Sequence, residues 1–234
     1  MFGTSRSTII ESPDFLLTVN GVALSPDRKC KNLGLFIDSD LRFSDHVSSL
    51  IQKTFGKLKL LYIHRDALDV DTKLRLTDSL ILSHLNYCDV VYWPALLQKD
   101  RDSLQKIQHA CLRFIYNVRK FDHITPSLNN SKWLTLEERF QLHLSRLVYR
   151  IRDSGLPKYL SDKLVKHSDI HDRLTRHKDL YSVPKYSHSF FTRCFSYTSA
   201  SAFNSLPDDV KKAQNSEVFA NKLKKLILSN RNPH

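Results

Sequence analysis

Glycine is scarce in this chain. The 5 glycines, at positions 3, 21, 34, 56 and 155, stand too far apart for a Walker or GxGxxG phosphate loop, and none flanks a serine in a GxSxG elbow. Prolines number only 8, while leucine and lysine are plentiful, a balance that favours helix. The four cysteines, Cys30, Cys88, Cys111 and Cys194, are too dispersed to form a CxxC zinc pair, and each has apolar or aromatic neighbours. No run approaches the ~20 apolar residues needed to span a bilayer. The start, Met1-Phe2-Gly3-Thr4-Ser5-Arg6, lacks the apolar segment of a secretory signal. The expectation is an intracellular protein, nuclear or cytoplasmic, with reduced thiols and no membrane partner.

What the chain has in excess is positive charge. Hydrophobic residues make up 41% and charged residues 26%, which suits a globular chain of 234 residues in one large or two small domains. Formal net charge is +12, with an isoelectric point near 9.6. Residues 1–48 hold five basic and six acidic side chains, so the surplus lies entirely beyond them. Such a surplus attracts polyanions, because Lys and Arg displace counterions condensed on phosphates.

Residues 9–43 read as strands and turns. Phe15 to Val19 is strand-like, Asn20-Gly21 is a strong hairpin signal, and Val22 to Leu24 is its return. Pro26-Asp27 opens another turn, and Asn32 to Asp38 reads as a buried strand ending in a polar turn. From Ser44 the period becomes helical. Ser44 or Asp45 is placed to cap a helix whose apolar face is Val47, Leu50, Ile51, Thr54, Leu58 and Leu61. A second helix is expected from about Asp71 to Leu85. The clearest runs from about Lys99 to Val118, with Leu104, Ile107, Cys111, Leu112, Ile115 and Val118 inward. Thr135 and Glu138 form a capping box for another helix, which Gly155 and Pro157 stop. Residues 156–215 read as irregular with short helical pieces. A last helix begins near Ser216, with Phe219, Leu223, Leu226 and Ile227 inward and Lys222, Lys224 and Lys225 outward.

Two basic stripes are the main candidates for chemistry. Lys53, Lys57 and Lys59 lie on the first helix, away from its apolar face. Lys106, Arg113 and Lys120, with His109 among them, form the second. Phosphate contacts of this kind position a nucleic acid without reading its sequence; a solvated helix face accounts equally well for either stripe. Trp93, Tyr116 and Trp133 are candidates for base stacking, although such rings are more often core. His167 and His171 stand four residues apart near Asp169, Asp172, His177 and His188, but no HExxH motif accompanies them. Asp208-Asp209 reads as a solvated turn and helix cap. His109 and Cys111 point apart on one helix, which argues against a dyad. No catalytic, metal-binding or cofactor-binding residue is assigned.

Several segments, in order, resemble the region after the active site of non-LTR retrotransposon reverse transcriptases of the jockey-like and LINE-type groups. Asn32-Leu33-Gly34-Leu35-Phe36-Ile37-Asp38, then Leu41-Arg42-Phe43 and His46-Val47, resembles the family's "LG…D…L.F..H" signature, which closes the palm and enters the thumb. Leu80 to Tyr87, then Val91-Tyr92-Trp93, resembles its "LI…HL.Y…W" segment. Leu104 to Arg113 resembles its "LQ.IQ…LR" helix. Ala202-Phe203-Asn204-Ser205-Leu206-Pro207, followed by Phe219, resembles the "WN.LP…F" close, with Phe203 where Trp is usual.

The resemblance implies a mostly α protein: a short N-terminal β-hairpin and strand remnant of a palm (1–43), a helical thumb-like bundle (44–125) and a helical C-terminal region (126–234). It implies contact with RNA or RNA–DNA hybrid, independent of sequence, through the two stripes. It also implies an absence, because the Tyr/Phe-Ala-Asp-Asp turn whose carboxylates hold two metal ions is not in the sequence. Met1-Phe2-Gly3-Thr4 resembles the palm strand just after that turn. The chain is therefore expected to start inside a domain, as a truncated element copy or a gene begun at an internal Met would. Its N-terminal strands would then lack sheet partners and present open edges. The alternative expectation is a helical scaffold, derived from a retroelement, that binds a protein partner through apolar helix faces.

Overall fold

The computed structural model describes residues 17–24, 27–170, 178–186, 188 and 190–231. The chain divides into two compact units. The first comprises Met1–Cys88 and Ala95–Ile115; the second comprises Asp89–Pro94 and Tyr116–His234. The fold is mostly α, with two small antiparallel sheets near the N-terminus.

In the first unit, β1 (Leu17–Val19) pairs with β2 (Val22–Leu24), with Val19 opposite Val22. Asn20 and Gly21 join them at φ 52° and 78°. Two successive positive φ angles make the primed turn whose twist matches the flanking strands, as that dipeptide foretells. The expected strand residues Phe15 and Leu16, and Pro26 of the next turn, lie outside the described residues.

Residues 32–38 are not one buried strand. They are the turn and second arm of another hairpin, β3 (Lys29–Asn32) with β4 (Leu35–Asp38), paired from Asn32↔Leu35 to Lys29↔Asp38. Leu33 and Gly34 take φ 46° and 87°. Leucine is rare at positive φ, so the turn has no local sequence signal. A contact far along the chain holds it instead: Tyr87 donates its hydroxyl proton to the Leu33 carbonyl at 2.7 Å. A Cβ at Gly34 would sit 3.5 Å from the Tyr87 ring.

Helix α1 (Ser44–Ile63) follows. Neither Ser44 nor Asp45 caps it. Phe43 precedes it in the left-handed conformation with no side-chain cap of its own. The carboxylate of Asp38 accepts the backbone N–H groups of Arg42 at 2.9 Å and Phe43 at 2.6 Å. The acidic group that organises the helix start therefore comes from β4, and Ser44 donates its hydroxyl proton to Asp100 at 3.2 Å instead.

Helix α2 (Val70–Thr77) is capped by Asp69, which accepts the Thr72 N–H at 2.7 Å; the Thr72 side chain first, and then this N–H, hold the Asp69 carboxyl below its usual range. A π-helical turn, Asp78–Leu82, carries the chain into α3 (Ser83–Asn86). Such a turn rotates later side chains relative to earlier ones. The second unit takes α4 (Asp89–Tyr92), and the chain then returns as α5 (Gln98–Tyr116). Ile81, Leu82, Leu104, Ile107, Cys111, Leu112 and Ile115 are fully enclosed and form the core of the first unit with Val47 and Leu58. Helix α5 ends two residues earlier than its apolar period suggests, because Asn117 turns left-handed at φ 53°.

The second unit contains α6 (Thr125–Ser131), α7 (Leu136–Ser154), α8 (Lys158–Ser161), α9 (Phe195–Asn204), α10 (Asp208–Lys211) and α11 (Ser216–Arg231). The Thr135–Glu138 capping box forms, and Gly155 closes α7 at φ 68°. Trp93 donates its indole N–H to Glu137 at 2.8 Å and stacks on Phe140, while Asp89 bonds His143 at 2.6 Å. The core gathers Val148 and Tyr149 from α7, Ala200 and Phe203 from α9, and Phe219 and Leu223 from α11.

Helix α9 is a ten-residue helix inside a stretch expected to be irregular. Its Ser- and Thr-rich sequence has weak intrinsic preference for helix. Packing decides the outcome: Ser199 and Ala200 are buried, and the Thr198 and Ser199 hydroxyls donate to carbonyls of the preceding turn. At its end, Asn204 accepts the Tyr181 N–H at 2.9 Å and donates to the Tyr181 carbonyl at 2.8 Å, imitating one rung of a sheet. Asn204→Ala is expected to destabilise the unit by about 1–3 kcal/mol and to speed amide exchange at 180–183. Unchanged exchange there would remove this role.

Candidate nucleic-acid interface

Lys53 and Lys57 are four residues apart on α1, so their side chains rise from one face of the helix. Lys53 is exposed and Lys57 half-buried. Lys59 is exposed but projects roughly 120° around the helix from Lys53. The first stripe is therefore Lys53 and Lys57, with Lys59 on another side.

The face carrying Lys53 and Lys57 gains a third member. Lys57 Nζ lies 2.6 Å from His84 Nε2 on α3. An ammonium group has no acceptor capacity, so the ammonium donates and the ring nitrogen accepts as neutral imidazole. Partial burial of His84, then the charges of Lys53 and Lys57, hold its pKa below the ordinary histidine value. The sequence names His84 only as part of the "HL.Y" motif. Its pairing with a lysine 27 residues away has no local signal.

On α5, Lys106 is exposed and Arg113 half-buried, seven residues apart and hence on one face. His109 lies between them; burial first, then Arg113, lowers its pKa. Lys120 does not continue this face. The helix stops at Tyr116, and Lys120 belongs to the second unit, with its ammonium 5.5 Å from the centre of the Phe121 ring. The left-handed Asn117 breaks the stripe that a helix running to Val118 would have carried. Among the described residues, no ion pair engages Lys53, Lys57, Lys59 or Lys106.

The other candidates differ in exposure and partners. Trp93 is 3% exposed, too enclosed to stack on a base. Trp133 is half-buried, with the Arg139 guanidinium 5.8 Å from the centre of its ring, and Tyr116 is half-buried. Cys111 is fully enclosed, and burial pushes its thiol up to about 12, far from a usable nucleophile. Asp208 and Asp209 are exposed in the first turn of α10, where Asp208 lies 3.9 Å from Lys211. His167 opens a short 3₁₀ turn and His188 is exposed, while His171, Asp172 and His177 lie outside the described residues. Among the described residues, no three His, Cys, Asp or Glu side chains are grouped to hold a metal ion, and no helix is long and apolar enough to cross a membrane.

No family model matches the chain, and neither a curated protein nor a solved structure matches it. The functional reading therefore stands on the residues themselves.

Proposed function

We propose that these 234 residues form the palm-end, thumb and following helical part of a non-LTR retrotransposon-type reverse transcriptase, and that they hold RNA or RNA–DNA hybrid by its phosphates without reading sequence. The observation that carries this is the face formed by Lys53 and Lys57 with His84, positive and, among the described residues, without a carboxylate partner. Lys106 and Arg113 offer a second basic face on α5 of the same unit. The order and spacing of the motifs support the assignment to this family. So does the work their residues do: Asp38, Tyr87, Trp93, Phe203 and Phe219 each fix backbone or fill core, as region-defining residues should. Nucleotide addition is not assigned to these residues, since the acidic turn that binds two metal ions is not in the sequence.

The test is hybrid binding by fluorescence polarisation across a salt series. The chain is expected to bind several unrelated sequences with similar affinity and a steep salt dependence. Lys53→Glu with Lys57→Glu is expected to weaken all of them alike and to reduce the salt slope by about one per lost phosphate contact. Affinity that ignores both substitutions refutes the reading.

One observation favours the scaffold alternative. The second half of α1 exposes Phe55, Leu60, Tyr62 and Ile63, the last two at 38% and 69%. Exposed apolar side chains in such density mark protein contacts. That reading requires a stable oligomer or complex and no salt-sensitive nucleic-acid binding, so the same titration separates the two.

A further inference from the structure

We propose that His84 is the third member of a phosphate seat with Lys53 and Lys57, and that this seat takes up a proton when a phosphodiester fills it. The inference rests on the proposed function, because the phosphodiester belongs to the backbone that the α1 face holds. It goes further in naming a residue on a second element and in coupling the contact to pH.

The contact between Lys57 and His84 sets up the coupling. Lys57 donates to His84 Nε2 at 2.6 Å, so that nitrogen carries no proton and offers nothing to an anion. A phosphodiester oxygen accepts hydrogen bonds and cannot donate them. For imidazole and ammonium to serve it together, Nε2 must become a donor and Lys57 must swing from the ring to the anion; a neutral ring can do this by moving its proton from Nδ1, but only the imidazolium adds a positive charge to the contact. The groups facing His84 explain why protonation waits for the ligand. Partial burial first, and then Lys53 and Lys57 approaching from α1, oppose a further positive charge on the ring. The π-helical turn before α3 contributes one charged residue, Asp78, six positions back, and α3 itself has no other ionisable group. The diester's single negative charge offsets one of the two ammonium charges and accepts a hydrogen bond from the protonated ring, and the ring takes that proton from solvent.

The sign follows from linkage. Burial and the two lysines hold His84 below its ordinary value of 6.5, and a bound phosphodiester raises it. Between those two values, binding consumes a proton, and affinity climbs by up to about tenfold per unit fall in pH. Below the lower of the two values the gain stops, because the ring is protonated in both states.

The experiment measures affinity for a fluorescein-labelled RNA–DNA hybrid of mixed sequence from about pH 7.5 to 5.5 at constant ionic strength. Wild type, His84→Gln and His123→Gln are compared; His123 is an exposed histidine of the second unit. The wild type and His123→Gln are expected to gain affinity on acidification more steeply than His84→Gln. Parallel slopes for wild type and His84→Gln overturn the inference while leaving hybrid binding intact. No hybrid binding by wild type at any pH removes the proposed function and this inference with it. Should His84→Gln unfold, nitrogen-15 NMR of the wild-type imidazole decides. Its pKa is expected to rise when hybrid is added, and an unmoved or lowered value overturns the proton uptake.

Discussion

Phe219→Ala is expected to cost the second unit about 3–5 kcal/mol. The ring is fully enclosed. It stacks on Tyr149 of α7, with centroids 4.6 Å apart, and on Phe203 of α9, at 6.2 Å. It is therefore a side chain through which α11 meets both partner helices. Alanine there leaves a void walled by two aromatic rings, and neither wall has freedom to close it: Tyr149 is tied by its hydroxyl to the Ala213 carbonyl at 2.6 Å and covered by the Arg152 guanidinium. The loss combines removed apolar contact with a persistent cavity. Thermal unfolding followed by circular dichroism should show the unit's transition fall by roughly 15 °C. Hydrogen exchange should accelerate in α7, α9 and α11. A fall of less than about 3 °C would mean that the three-ring stack contributes little.

Glu138→Ala should be nearly as damaging, by about 3 kcal/mol, through a different mechanism. Glu138 serves two partners at once. Its carboxylate accepts the Thr135 backbone N–H at 2.8 Å, completing the capping box, and it pairs with the Arg231 guanidinium in the last turn of α11. Arg231 also donates to the Trp133 carbonyl at 2.9 Å. The two side chains are 21% and 14% exposed, so water compensates poorly when one partner is deleted. Glu138→Gln keeps the cap but loses the charge and should cost less. Because the arginine is stranded by the first change, Glu138→Ala and Arg231→Ala should together cost less than their sum. Strict additivity in chemical denaturation would show that the pair is not coupled.

The capping box was readable from the sequence because its chemistry is confined to four residues. The same holds for Asn20-Gly21 and for Gly155: each conformation is dictated by the residue that adopts it. The apolar periods of α1, α5, α7 and α11 were equally plain, and the buried residues follow them. What escaped depends on partners distant in the chain. Leu33 turns left-handed under the hold of Tyr87, 54 residues on. Asp38 supplies the backbone contacts expected of Ser44 or Asp45. Helix α9 forms from Ser and Thr because Ala200 and Phe203 have a core to enter.

The candidate site was legible only in part. Lys53 and Lys57 share a face because helical spacing requires it. The same arithmetic, applied past the true end of α5, wrongly joined Lys120 to Lys106 and Arg113. His84 was out of reach of any local rule, since a helix–helix contact brings it to Lys57.

The chain's passage through residues 89–94 bears on its own synthesis. Asp89 and Trp93 leave the ribosome some fifty residues ahead of His143 and Phe140, the side chains that enclose them. Until α7 emerges, a carboxylate and an indole destined for the interior must wait in water, although the helices of the first unit that flank them in sequence are already complete. A nascent chain halted after Ile115 would therefore display an oily ring and an unmatched charge side by side. Chaperones recognise that condition, and a shortened gene could not escape it by ending there.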